Sequence, residues 1–186
     1  GRIVQQVFFY GDEDGKKFFP VYINSFNKKD WKINNGNKEW VEIKSIKNPK
    51  VWIYVNRPLN NDKNLDDTAQ VHLINYLKLN KLKPSIITHR GHSYWLTRTM
   101  DRMAGDAKIV LLGSCGGYKN LSQLIDINPD AHIISTKQIG TGNINQIITN
   151  NLNQLLLSGK QLIWKNIWND LSFYFNRQPK ELKETW

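Results

Sequence analysis

The sequence predicts an α/β fold, with a mostly parallel central sheet covered by helices on both faces. Three observations carry this. Short β-branched and apolar runs recur along the chain, at 2–10, 40–44, 50–55, 84–88, 108–112 and 131–136. Segments with helical spacing of apolar residues lie between several of them. Two of the runs, 50–55 and 108–112, are nearly all apolar, as strands buried on both faces must be. Strands that alternate with helices form parallel sheets with helical layers on either side.

Residues 2–10 read as the first strand, broken by Gly11-Asp12-Glu13-Asp14-Gly15. Phe18, Phe19, Tyr22, Ile23 and Phe26 then have the spacing of an amphipathic helix over 16–27, with Pro20 near its first turn. Residues 28–38 are Asn- and Lys-rich and read as a loop. Residues 40–44 alternate as a half-buried strand, Asn48-Pro49 turns the chain, and 50–55 is a buried strand. Residues 64–82 are expected to be helical, with Asn64 as cap and Asp66 and Asp67 in the first turn. Their apolar face is Leu65, Ala69, Val71, Leu73, Ile74, Leu77 and Leu79. Strand 84–88, a crossover helix over 93–105, strand 108–112, a helix around 118–126 and strand 131–136 follow. Two helices, 143–157 and 160–175, flank Ser158-Gly159, and the last ten residues, being polar, are expected to fray.

The chain has 186 residues and reads as one domain, 1–186, without an internal repeat or linker. Its 40% hydrophobic residues mark a globular chain rather than a disordered one. No apolar run approaches the roughly 20 residues of a membrane span, so no membrane partner is expected. The first twenty residues lack the layout of a signal peptide, which leaves a cytoplasmic location, or secretion after processing. A single cysteine excludes an internal disulfide framework. The formal charge of +10 raises nucleic-acid binding. But 20 of the 26 basic residues are lysines scattered through an Asn-rich chain, and no zinc-finger, RNP or basic-helix pattern appears. No nucleic-acid partner and no cofactor is expected.

Catalytic groups on a parallel sheet gather at the carboxyl ends of its strands. Strand 84–88 runs into His89-Arg90-Gly91-His92, and strand 108–112 into Gly113-Ser114-Cys115-Gly116-Gly117. If the two strands are neighbours, about 4.8 Å apart, their loops share one rim and a Cys–His pair becomes feasible. A nearby imidazole favours the thiolate, the attacking species. The glycines around Cys115 permit positive φ and close approach of the backbone. The N–H groups of Cys115, Gly91 and Gly116 are candidate oxyanion donors. A helix starting just after Gly117 would add the positive end of its dipole.

The blocks Ile86-Ile87-Thr88-His89-Arg90-Gly91-His92-Ser93 and Ile109-Val110-Leu111-Leu112-Gly113-Ser114-Cys115-Gly116-Gly117 resemble the two catalytic blocks of clan CD cysteine peptidases, the caspase-like, gingipain and CHAT-type enzymes. The resemblance covers roughly residues 50–170. It implies a caspase-like three-layer sandwich and an endopeptidase acting through a Cys–His dyad and an acyl-enzyme, on a peptide or protein substrate. Members of the family are often dimeric, so a homodimer is one expected arrangement. Cys115 is the implied nucleophile. The histidine block aligns in two ways: His92 follows the glycine that frees the backbone and is favoured as base, and His89 follows the strand directly. In several family members the loop after the first strand helps form the pocket for the residue before the cut. Here that loop holds Asp12 and Asp14, which would favour Lys or Arg in the substrate. Trp95 is a candidate lining residue.

Three other readings stay open. Gly113-Ser114-Cys115-Gly116-Gly117 also fits the nucleophile elbow of glutamine amidotransferases and DJ-1-like hydrolases, but there the base follows the nucleophile. The only later histidine, His132, enters a strand at its amino end. A metal site from His89, His92 and Cys115 lacks a second sulfur or a carboxylate. An inactive caspase-like module that binds a protein partner is the rival of a different class.

Overall fold

The computed structural model describes residues 1–184 and 186. Its centre is a seven-stranded sheet in the order β2-β3-β4-β1-β5-β6-β7. The strands are β1 (Ile3–Phe9), β2 (Trp31–Asn34), β3 (Trp40–Ser45), β4 (Val51–Asn56), β5 (Pro84–Arg90), β6 (Ile109–Leu112) and β7 (His132–Ser135). β4, β1, β5, β6 and β7 pair in parallel, and β2 and β3 add an antiparallel edge. The helices are α1 (Glu13–Asn24), α2 (Leu65–Leu79), α3 (Leu96–Met100), α4 (Leu121–Ile127), α5 (Gly142–Ser158), α6 (Trp164–Phe175) and α7 (Lys180–Glu184).

Strand alternation sorts the core into two layers. Val7, Phe9, Ile109 and Leu111 face Tyr22 and Phe26 near α1 and Leu152 and Leu156 of α5. Phe8, Tyr10, Val110 and Leu112 face Leu96 and Met100 of α3 and Leu124 of α4. Val4 and Tyr54 meet Leu73 and Leu77 of α2. The result is an α/β sandwich with helices on both faces. α6 packs outside the amino half of α5 through Ile144, Ile167 and Leu171.

The expected strands and helices form, with instructive shifts. The Asp12-Glu13-Asp14 stretch is not a loop. Asp12 caps α1 by accepting from the Gly15 N–H at 2.7 Å, and Glu13 and Asp14 occupy the first turn, where carboxylates complement the helix dipole. α1 therefore starts three residues earlier than its apolar spacing suggests, and Pro20 falls inside it. Asn64 takes a left-handed conformation and makes no side-chain cap. The Asn/Lys-rich segment contains a strand, β2. The crossover over 93–105 is a 3-10 turn, Ser93–Trp95, followed by the short α3. The second late helix starts at Trp164 rather than 160. At the carboxyl terminus α7 forms and Trp186 stacks on Phe175 at 4.3 Å, so these residues are held by packing; residue 185 lies outside the described residues.

α2 turns a partly polar face inward. Asp66, Gln70 and Leu73 are buried, whereas Leu65, Val71 and Leu79 are exposed. The polar pair serves the backbone at the carboxyl end of β1. Gln70 donates to the Phe9 carbonyl at 3.1 Å, and Asp66 accepts from the Gly11 N–H at 2.9 Å. Asn56, the last residue of β4, accepts from Phe9 N–H at 3.0 Å and donates to Phe9 C=O at 2.7 Å. Gly11 packs so tightly on the Leu59 carbonyl that a Cβ would stand 1.7 Å from its oxygen. These contacts fix where the chain leaves the sheet towards α1. Replacing Asn56 with Ala strips a buried N–H of its acceptor, which should cost about 2–3 kcal/mol in urea unfolding. An Asn56→Ala protein as stable as the parent would show that this clamp does not hold the end of β1.

Candidate functional site

β5 and β6 are neighbours, with His89 paired to Leu112 at the end of the ladder. One more bond, Gly113 N–H to His89 C=O at 3.1 Å, carries the pairing past the strand end. The loop bearing Cys115 and the loop bearing His92 thus leave the sheet side by side, at its carboxyl rim. His132 begins β7 and pairs with Ile109, the first residue of β6, at the opposite rim from Cys115. It is remote from the thiol, which removes the base that an elbow-type hydrolase would need.

The Cys115 loop is braced from behind. Asn145 of α5 donates to the Gly113 carbonyl at 2.9 Å, and the Thr136 hydroxyl donates to the Ser114 carbonyl. Gly116 has φ of +59°, a conformation glycine adopts without strain, and its N–H donates to the Gln138 carbonyl at 2.7 Å. Ser114 is buried, while Cys115 is exposed and its thiol makes no hydrogen bond among the described residues. Of the three candidate oxyanion donors, the Gly116 N–H is therefore committed, to the segment that follows β7. The Cys115 N–H has no acceptor among the described residues. Gly91 enters the hydrogen-bond network through its carbonyl. A 3-10 turn, Gly117–Asn120, precedes α4, so the helix starts six residues past Cys115 and its dipole does not bear on the thiol.

The two candidate bases differ sharply. His89 is fully buried. Its Nδ1 lies 2.8 Å from the Thr99 hydroxyl, and its Nε2 lies 3.0 Å from Gly91 C=O and 3.3 Å from His92 C=O. Two carbonyls at Nε2 require the proton there, so Nδ1 accepts from Thr99, which in turn lies 2.6 Å from the Tyr10 hydroxyl. Burial pulls the pKa of His89 down to about 4, against smaller upward pulls from those carbonyls and Asp12. It is a neutral brace, both nitrogens engaged. His92 is two-fifths exposed, with Nε2 3.3 Å from the Asp14 carboxylate and its ring stacked on Tyr94 at 5.1 Å. No hydrogen bond joins either ring to the Cys115 sulfur.

Asp12, Asp14, His92 and Trp95 thus meet at one rim, chiefly as partners of one another. The Trp95 indole donates to Asp12 at 2.8 Å and stacks on Tyr10 at 5.0 Å. Among the described residues no three His, Cys, Asp or Glu side chains converge to hold a metal ion. Residues that sequence reasoning passed over are Tyr10, Thr99, Asn145 and Arg90. Arg90 is a buried guanidinium that the strand period places on the face opposite His89.

His89 has a pH signature. Its folded pKa lies below the ordinary 6.5, so the unfolded chain binds the extra proton first as pH falls. Stability is full above pH 6.5 and declines between pH 6.5 and about 4, by about 3 kcal/mol in total. Urea titrations across that window should show this fall in the parent and a smaller one in His89→Gln. Equal pH dependence in the two proteins would contradict the assignment. In comparisons with known proteins, no family model matches the chain, and no curated protein or solved structure matches it.

Proposed function

We propose that this chain is a cysteine peptidase similar to the caspase-like clan CD enzymes, with Cys115 as nucleophile and His92 as general base. The observation that carries the reading is the placement of an exposed thiol and a half-exposed imidazole on neighbouring loops of one sheet rim, the imidazole held by a carboxylate. Asp14 on Nε2 favours the tautomer with its proton there, which leaves Nδ1 to take the thiol proton. Asp14 and the Tyr94 stack are positioning contacts in this scheme. Selection of Lys or Arg by Asp12 and Asp14 forms no part of it, because both carboxylates already have partners in the fold.

In the proposed reaction the Cys115 proton passes to His92 Nδ1 and the thiolate adds to the scissile carbonyl carbon. The Cys115 N–H, with that of Gly91 from the facing loop, supports the oxyanion. The C–N bond breaks as His92 returns the proton to the leaving amine. Water then attacks the thioester carbonyl carbon, giving its proton to His92; the C–S bond breaks, His92 returns the proton to sulfur, and the acid product leaves with the thiol regenerated. His92 must swing or the loops must close for the first transfer, since the thiol is unbonded in the resting arrangement. That same gap favours a second reading, a caspase-like module that binds a protein without cutting it.

Alkylation of the single cysteine by iodoacetamide, followed with pH by mass spectrometry, separates the two. A peptidase site gives a rate at pH 6.5 at least tenfold above that of glutathione. His92→Ala should abolish the excess, and Asp14→Asn should lower it by up to about fivefold, the worth of one exposed ion pair. A parent rate no faster than glutathione, unmoved by His92→Ala, favours the binding module.

A further inference from the structure

A groove lies on the α2–α3 face, away from the thiol loop and towards the amino ends of the strands. It encloses about 810 Å³ between α2 and the segment that follows α3, and it reaches Pro84, the first residue of β5. Its walls are apolar, with Ile74 and Leu77 of α2, Leu82 and Met103. Leu77, Leu82 and Met103 are themselves buried, so the walls are held by the packing of this face. Charges stand only towards the mouth. Lys83 is paired with Asp106 at 3.1 Å and Arg102 with Asp67 at 2.6 Å. Lys78, Lys81 and Asp101 are exposed and make no ion pair among the described residues.

The polar group within the groove is Gln6. Strand alternation puts Val4, Gln6 and Phe8 on one face of β1. Val4 is covered by Leu73 and Leu77 of α2, and Phe8 by Leu96 and Met100 of α3. Gln6 falls between these two covers and lines the groove. It is only 2% exposed, yet its carboxamide makes no hydrogen bond among the described residues. Its neighbour Gln5, on the opposite face, is satisfied by donating to the Thr88 hydroxyl at 3.0 Å. A buried amide left unpaired opposes folding, so an amide among apolar walls calls for a partner that arrives through the groove.

We infer that this groove is a ligand site separate from the thiol rim, taking a small apolar molecule whose neutral head presents a hydrogen-bond donor and acceptor side by side to Gln6. The glutamine amide offers a carbonyl and an NH2 in one plane, and a head with the same pair docks on it through two parallel hydrogen bonds. An ester brings no donor. A carboxylate brings none either, and enters with a charge that the cations of the groove, paired or facing solvent, do not meet at Gln6. A carboxamide on an acyl chain and the edge of a nucleobase share the required chemistry. The apolar walls suit the body behind either head. The inference does not depend on the peptidase reading.

The test is a titration of the full-length protein, labelled with nitrogen-15, followed by nuclear magnetic resonance. The side-chain NH2 signal of Gln6 is identified by its loss in Gln6→Met. The probes are hexanamide, methyl hexanoate, hexanoate and adenosine. Hexanamide or adenosine should shift the Gln6 NH2 signal, and the one that binds more tightly names the source of the head, acyl amide or nucleobase. That probe should bind at least fivefold more tightly than methyl hexanoate and hexanoate, and Gln6→Met should erase the advantage. A Gln6 signal unmoved by both hexanamide and adenosine would overturn the inference, as would methyl hexanoate or hexanoate binding as tightly as either. If Gln6→Met does not fold, the same ranking of probes in the parent, read from the backbone signals of Leu77 and Met103, decides the matter.

Discussion

The hydrogen bond from Gly113 N–H to His89 C=O, one step beyond the β5–β6 ladder, is the constraint on which the site depends. Parallel pairing places two polar loop tips at one rim, and this last bond sets their register. The two faces of β5 then divide the labour. His89 points into the α3–α4 layer and Arg90 into the α1–α5 layer, one residue apart. The loop beyond them returns His92 to the rim. Braces from Asn145 and Gln138 fix the Cys115 loop against the segment that follows β7. Slipping β6 by one residue would exchange its buried faces and break both sets of contacts.

His89 and His92 show how environment decides the use of one side-chain type. His89 has lost its water and gained three partners, so it stays neutral and holds Thr99, Tyr10 and the 91–92 carbonyls together. His92 keeps water on one side and a carboxylate on the other, so its ring is open to a substrate while its orientation is held. The buried ring is structural support for the loop on which the exposed ring rides. Around them the Tyr10–Trp95 stack and the Asp12 contact join β1, α1 and the 93–95 turn into one wall.

Much of the fold was legible because apolar runs of four to seven residues announce buried strands directly. Two such runs, each ending in chemically capable residues, gave the β5–β6 adjacency only as a condition, which the ladder meets. What escaped were polar residues whose partners are backbone atoms far along the chain. Asp66 read only as a first-turn carboxylate and Gln70 drew no reading, yet they bond the end of β1 across 55 and 61 residues. Asp12 read as part of an acidic turn because a cap is defined by the helix behind it, and the α1 apolar pattern does not begin until Phe18. β2 offers only Trp-Lys-Ile-Asn, too short a run to stand out among lysines and asparagines. At the site, the cysteine and both histidines were identifiable by type, but burial alone separates the brace, His89, from the accessible ring of His92. Arg90 was hidden by its neighbours, since nothing in a sequence tells which face of a strand lacks a counter-charge.

The central claim is that the Cys115 thiol and the His92 imidazole act as a pair. With one cysteine in the chain, thiolate absorbance at 240 nm reports that thiol alone. A working pair gives a larger thiolate absorbance at neutral pH in the parent than in His92→Ala. Equal absorbance in the two proteins would contradict the account.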